Sequence, residues 1–168
     1  MSFKDGEWKN REKRLGDEAE GAYRVDRDNR GIPYDDRGFR RPDFTAKQFG
    51  SLPPRIRYEP DFIEFPDQRN GVYAEVQGLG RDSQFKIKAE KMDALHWWHK
   101  HMAPVFMVVW NNVVRQIVDL SWMTLASLVH RAKQDGNRGV FDPETKPKEY
   151  YWVSWEDLTK DDAPRSLT

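Results

Sequence analysis

The stretch between Tyr58 and Lys91 constrains this chain most. Phe62, Ile63 and Phe65 suit a pleated, half-buried surface, and Val72, Ala74 and Val76 alternate with Tyr73, Glu75 and Gln77 at the period of a strand. Asn70-Gly71 between the two runs is a strong hairpin signal, so two antiparallel strands are expected to lead into a helix. Residues two apart in a strand share a face. Glu75 and Gln77 therefore point the same way, and a strand opening at Asp61 brings a second carboxylate beside Glu75 if the strands are offset or splayed.

Two carboxylates and a peptide carbonyl, here that of Val76, suit Mg²⁺, or Mn²⁺ in its place, because such cations take oxygen ligands and keep waters for a phosphate substrate. An ion so held activates water and neutralises charge on a phosphoryl oxygen, which is the chemistry of phosphodiester hydrolysis. A Pro-Asp turn before a strand, or a glutamate facing solvent, is ordinary when it stands alone. Their order along the chain gives them weight. A second Pro42-Asp43-Phe44 lacks a strand pattern after it and is set aside.

Pro60-Asp61, Glu75-Val76-Gln77 fourteen residues on, and a basic helix beyond resemble the PD-(D/E)xK nuclease superfamily, with Gln77 where its lysine usually stands. Upstream, Lys13-Arg-Leu-Gly-Asp-Glu-Ala-Glu20 is similar to the opening helix of archaeal-type Holliday junction resolvases, with Glu20 at their glutamate position. The resemblance implies an α/β fold: a restriction-endonuclease-like core with a central mixed sheet flanked by helices, in the order α-β-β-α-β-β-α-β. It implies a Mg²⁺-dependent endodeoxyribonuclease acting on branched or structured DNA in recombination, repair or phage DNA processing. Asp61 and Glu75 would bind metal with the Val76 carbonyl, and Glu20 would support the ion through water. Gln77 or Lys91 would orient the attacking water or stabilise developing charge. Junction resolvases act as symmetric homodimers, which the resemblance implies here too, with Trp97, Trp122 and Trp155 as aromatic candidates for the interface. Two rival readings stay open: a catalytically silent member of the same fold that binds DNA or serves assembly, and a small viral interaction protein whose acidic pair is coincidental.

At 168 residues the chain reads as one nuclease-like domain, long enough to bury its own core. Lys plus Arg equals Asp plus Glu at 28 each, so any nucleic-acid contact needs local patches in place of a global basic field. Absence of cysteine excludes disulfides and thiolate metal sites. No apolar run reaches spanning length and no signal region opens the chain, so a cytoplasmic protein of a bacterial or phage-infected cell is expected.

Residues 8 to 24 are expected to form a helix with Trp8, Leu15, Ala19, Ala22 and Tyr23 on one stripe and Glu20 on its flank. From 25 to 57 periodicity is lost. This basic, Arg- and aromatic-rich run is expected to be a long loop, either a mobile linker or a DNA-contacting segment in which Arg37, Arg40 and Arg41 meet phosphates. A helix is expected over about 84 to 102, with Ile87, Ala94, Leu95, Trp98 and Met102 on one stripe. Lys91 falls in the middle of that stripe, where an ammonium is costly unless it pairs or snorkels. It is thus a candidate for a relocated catalytic lysine, while Lys86 and Lys88 read as phosphate contacts or plain surface. His96, His99 and His101 match no zinc spacing. Pro104 to Trp110 reads as a central strand, Val113 to Leu120 as its neighbour, Ser121 as the cap of a helix to about Lys133, 135 to 148 as loop, Tyr150 to Val153 as a short strand, and the tail from Thr159 as frayed.

Overall fold

The computed structural model describes the backbone of residues 3–37, 46–67, 69–79, 82–141 and 147–167, and the side chains there except those of 3–13, 46, 47, 49 and 141. A long helix α1 (Phe3–Arg30) is followed by an edge strand β1 (Tyr34–Asp36), two short helices α2 (Ala46–Ser51) and α3 (Pro54–Arg57), and the strands β2 (Phe62–Glu64) and β3 (Val72–Gly78). Then come β4 (Gln84–Lys88), α4 (Ala89–His101), β5 (Val105–Asn111), β6 (Gln116–Leu120) and α5 (Trp122–Gln134). The chain ends in β7 (Arg138–Phe141), β8 (Lys148–Ser154), α6 (Trp155–Leu158) and β9 (Arg165–Ser166).

The central sheet is mixed and runs β1-β2-β3-β5-β6-β9. β3 and β5 are parallel, so the chain between them must cross over, and β4 with α4 makes that crossing. Alternation along the strands divides the core in two. Ala74, Val76, Val108, Trp110 and Ile117 pack under Ala19 and Tyr23 of α1. Tyr73, Val105, Met107, Val109, Val118 and Leu120 face Leu95 of α4, Leu125, Leu128 and Val129 of α5, and the second sheet. The helix α1 lies so near β3 that a Cβ at Gly78 would meet the Leu15 carbonyl oxygen at 3.0 Å. A side chain there would lift the helix off the strand.

Several boundaries differ from those read in the sequence. α1 continues through Val25 to Arg30 and β1 follows, because Asp26 and Arg27 are buried by partners far along the chain. The run 25–57 is therefore not one long loop. Gln84 to Lys88 is a strand: Phe85 and Ile87 are fully buried two apart, and β4 pairs with β8 in a three-stranded sheet β4-β8-β7. Residues 138 to 141 are likewise strand where loop was expected. The tail returns to the sheet, with Arg165 opposite Ile117 and its guanidinium on Asp26 and Asp119. The expected caps hold: Ser121 Oγ accepts the Thr124 amide at 3.1 Å, and Ser154 Oγ that of Asp157. Among the described residues no helix is long and apolar enough to cross a membrane.

Gly16 and Gly21 sit inside α1 with open space where a Cβ would stand. Replacing either with alanine is expected to raise stability by about 0.5–1 kcal/mol, since alanine loses less backbone entropy and meets no clash. Chemical denaturation of each variant checks this.

Candidate metal and phosphodiester site

The register of the hairpin places the two acidic positions without offset or splay. Phe62 pairs with Ala74 and Ile63 with Tyr73, so one further step sets Asp61 opposite Glu75, and opposite residues share a face. Beyond the three-residue β2 the Asp61 side chain carries on the pairing, its Oδ2 accepting the Val76 amide at 2.8 Å. The Asp61 carbonyl accepts the Arg37 amide at 2.7 Å, which fixes the residue from its other side. The face they share is the one turned toward α4.

The buried partner from α4 is Lys91. Its ammonium forms an ion pair with Glu75 Oε1, with side chains 17% and 4% exposed. Burial pulls the Lys91 ammonium down, but the charges of Glu75 and Asp61 outweigh it and its pKa is raised. Burial and the neighbouring Asp61 push the Glu75 carboxyl up to about 8, against the pull of Lys91. Asp61 is also raised, by burial above all. Two carboxylates and one ammonium in a space poor in water cannot all be charged at low cost, and a proton held by the pair is the consequence.

That proton has a measurable effect on folding. The Glu75 pKa in the folded chain, about 8, lies above its ordinary value of 4.5. The folded state therefore keeps the proton across a window in which the unfolded chain releases it. The contribution to stability is complete below about pH 4.5 and is lost as pH rises toward 8. The metal-free protein is expected to lose thermal stability over that range, and Glu75→Gln is expected to flatten the loss. Melting temperatures of both proteins in chelator, taken from pH 5 to 8.5, test it; parallel curves would contradict the buried proton.

The other expected site residues fall into distinct places. Glu20 lies on α1, near enough for its charge to raise Asp61, and is held by Arg24 at 3.1 Å. Gln77 shares the face of Glu75, but its amide donates to the Lys86 carbonyl at 2.6 Å, so it ties β3 to β4. Lys86 is paired with Asp82, and Lys88 occupies the position before α4; both stand on a strand, not on the expected helix. The Arg37 side chain is exposed beyond β1, whereas Arg40 and Arg41 lie outside the described residues. Trp122 and Trp155 pack partly against the core, Trp97 stacks on His101, and all three are half-buried. His99 accepts the Val105 amide through Nδ1 at 3.1 Å. In the neutral ring that leaves the proton on Nε2, unsuited to a metal, and its neighbour Trp122 stacks on it.

Around the carboxylate pair is a second cluster that the sequence did not disclose. Glu90 accepts from the Tyr58 hydroxyl at 2.6 Å, the Lys148 ammonium at 2.9 Å and Arg57 at 3.3 Å. Burial pushes its carboxyl up, yet the hydrogen bonds from Tyr58 and Lys148 and the nearby cations hold it down at about 2. These partners come from α3, the residue that caps its C-terminus and β8, and only the tertiary packing of α4 against them brings them together.

Among the described residues no group of three or more His, Cys, Asp or Glu side chains stands ready to hold a metal; the centre is a pair of carboxylates. The donor set still fits a hard divalent cation: a buried and a half-buried carboxylate in contact, two negative charges against the one ammonium of Lys91. No family model matches the chain, and no curated protein matches it. In fold the chain is similar to the Holliday junction resolvase Hjc of the archaeal hyperthermophile Archaeoglobus fulgidus, with a TM-score of 0.50 at 10% identity over 86% of this chain and 93% of that one. The core is thus restriction-endonuclease-like, a mixed sheet flanked by helices.

Proposed function

We propose that this protein is a divalent-metal-dependent endonuclease that cuts phosphodiester bonds in branched or structured DNA. The observation that carries the reading is the meeting of Asp61, Glu75 and Lys91 at one point of the sheet, on a fold similar to that of a junction resolvase. Asp61 and Glu75 would hold Mg²⁺, or Mn²⁺, with the Val76 carbonyl as a third oxygen. The bound cation supplies positive charge to the phosphoryl oxygens and makes an adjacent water a better nucleophile.

The residues of the chain do the rest. Lys91 neutralises the carboxylate pair in the free protein; with a substrate present, its ammonium is within reach to donate to a phosphate oxygen or to orient water. Gln77 is spent on the Lys86 carbonyl and carries no charge, so the lysine role falls to Lys91. Glu20 adds negative charge on the far side of Asp61 and positions a water there. Strands β2 and β3 fix both carboxylates through backbone pairing, which holds them ready without reorganisation.

The test is incubation of purified protein with a four-way junction, a flap and a linear duplex in Mg²⁺ or Mn²⁺. Cleavage of the junction or flap above the duplex, abolished by chelator, is the expected result. Tight DNA binding with no cleavage of any substrate would assign the chain to the silent, DNA-binding reading instead. A protein that neither binds nor cuts DNA would sink both.

A further inference from the structure

The Glu90 cluster is joined to the carboxylate site by the chain itself. Glu90 precedes Lys91 on α4, and Arg57-Tyr58 lie just before Pro60-Asp61. Burial pushes the Tyr58 hydroxyl up, and Glu90 and then Glu75 add to the shift; the two clusters share one electrostatic neighbourhood. Here one carboxylate, Glu90, faces two cations, Arg57 and Lys148. The cluster carries a surplus positive charge, while three groups next door, Asp61, Glu75 and Lys91, carry none or less.

Arg57 is also under-used. Its side chain is 11% exposed, it meets Glu90 through Nη2 alone at 3.3 Å, and its Nε is buried with no hydrogen-bond partner. A guanidinium has five N–H donors in a rigid fork that matches a phosphate. A buried donor left unmatched is costly, and nothing among the described residues satisfies this one. Lys148, 30% exposed, supplies a second cation from β8 of the three-stranded sheet.

We propose that Arg57 and Lys148, gathered on Glu90, bind the backbone phosphate next to the scissile one, so that the site grips the strand by its path and not by its bases. The proposal deepens the nuclease reading and rests on it for the word scissile alone. Glu90 gathers the two cations in one place. Tyr58 locks Glu90 in place through its hydroxyl. The ligand is a phosphodiester of a nucleic-acid strand. Arg57 and Lys148 are positioning residues, not catalytic ones.

Salt dependence of binding reads this directly, because each phosphate contact releases counterions. A labelled four-way junction and a linear duplex are titrated with wild-type protein, Arg57→Gln, Lys148→Ala and the double variant, in chelator, at a series of salt concentrations. Because both cations sit on one phosphate, each single change is expected to lower the slope of log affinity against log salt by up to about 1, and the double by about 1 in all, with far-ultraviolet dichroism unchanged. A purely structural role would not move the slope of a folded variant. Lys148 is the less buried of the two, so Lys148→Ala decides the matter should Arg57→Gln unfold. Folded variants with the wild-type slope overturn the phosphate site even if the wild type cuts DNA. A wild type that binds but does not cut, with slopes that fall as stated, sinks the nuclease reading and leaves this site standing.

Discussion

Asp61→Asn is expected to lower the cleavage rate by roughly 10³-fold or more while leaving the fold intact. Asparagine keeps an oxygen that can accept the Val76 amide, as Asp61 Oδ2 does at 2.8 Å, so the strand junction survives. The carboxylate charge does not survive, and charge is what the proposed cation and the developing phosphoryl charge respond to. Loss of one preorganised electrostatic partner costs about 10²–10³ in rate, and the loss of a metal ligand adds to it. Removing one of two like charges also relieves Glu75, which Asp61 raises, so the metal-free melting temperature at pH 8 should hold or rise. Lys91→Met is expected to fall by a similar order, and Gln77→Ala by less than about tenfold, since the Gln77 amide is engaged by a backbone carbonyl. Single-turnover cleavage of a junction by the three variants, with melting curves beside it, separates chemistry from folding. Equal losses in Gln77→Ala and Lys91→Met would show that the lysine role has not moved to α4.

The pairing of Asp61 with Glu75 was legible because it rests on local signals: alternation at period two in β3, apolar residues in β2, and Asn70-Gly71 between them. Lys91 was legible for a different reason. A single lysine amid Ala94, Leu95 and Trp98 on one helix stripe has to pair or snorkel, and it pairs with Glu75. The start of the same helix was misread because Phe85, Ile87 and the lysines between them fit either period over so short a run. Deciding it needs β8, whose Tyr151 stands opposite Ile87, and nothing local reports a partner so distant. The same limit hid Glu90, whose donors come from the end of α3 and from β8, both far from α4 in the chain, and it hid the burial of Arg27. A short basic and acidic run such as Val25 to Arg30 reads as solvated loop unless the partners on β2, β6 and β9 are known.

Arg27→Met is expected to cost about 3–5 kcal/mol, the largest single loss of stability in the molecule. The Arg27 side chain is 1% exposed and pairs with Asp26, with Glu64 at 2.5 Å and with Asp119 at 3.1 Å. Burial pulls its guanidinium down, but Asp119 and Glu64 outweigh that and keep it charged. Deleting it leaves buried carboxylates uncompensated, the situation in which breaking an ion pair is most costly. Arg30 and Arg165 still cover Asp26 and Asp119. Glu64 loses its ion-pair partner and keeps the Tyr23 hydroxyl at 2.8 Å, so Glu64 bears most of the penalty. In a chain of this size 1 kcal/mol moves the melting temperature by about 2–4 °C, which puts the drop near 10 °C. Because an apolar pair of similar volume can replace a buried ion pair at little cost, Arg27→Met with Glu64→Met should recover much of the loss, although neither change alone does. Thermal and denaturant unfolding of the two singles and the double form the cycle that checks it. An Arg27→Met protein melting within about 2 °C of wild type would mean that α1 is held to the sheet by the contacts of Ala19, Tyr23 and Phe62 alone, with the charged network adding nothing.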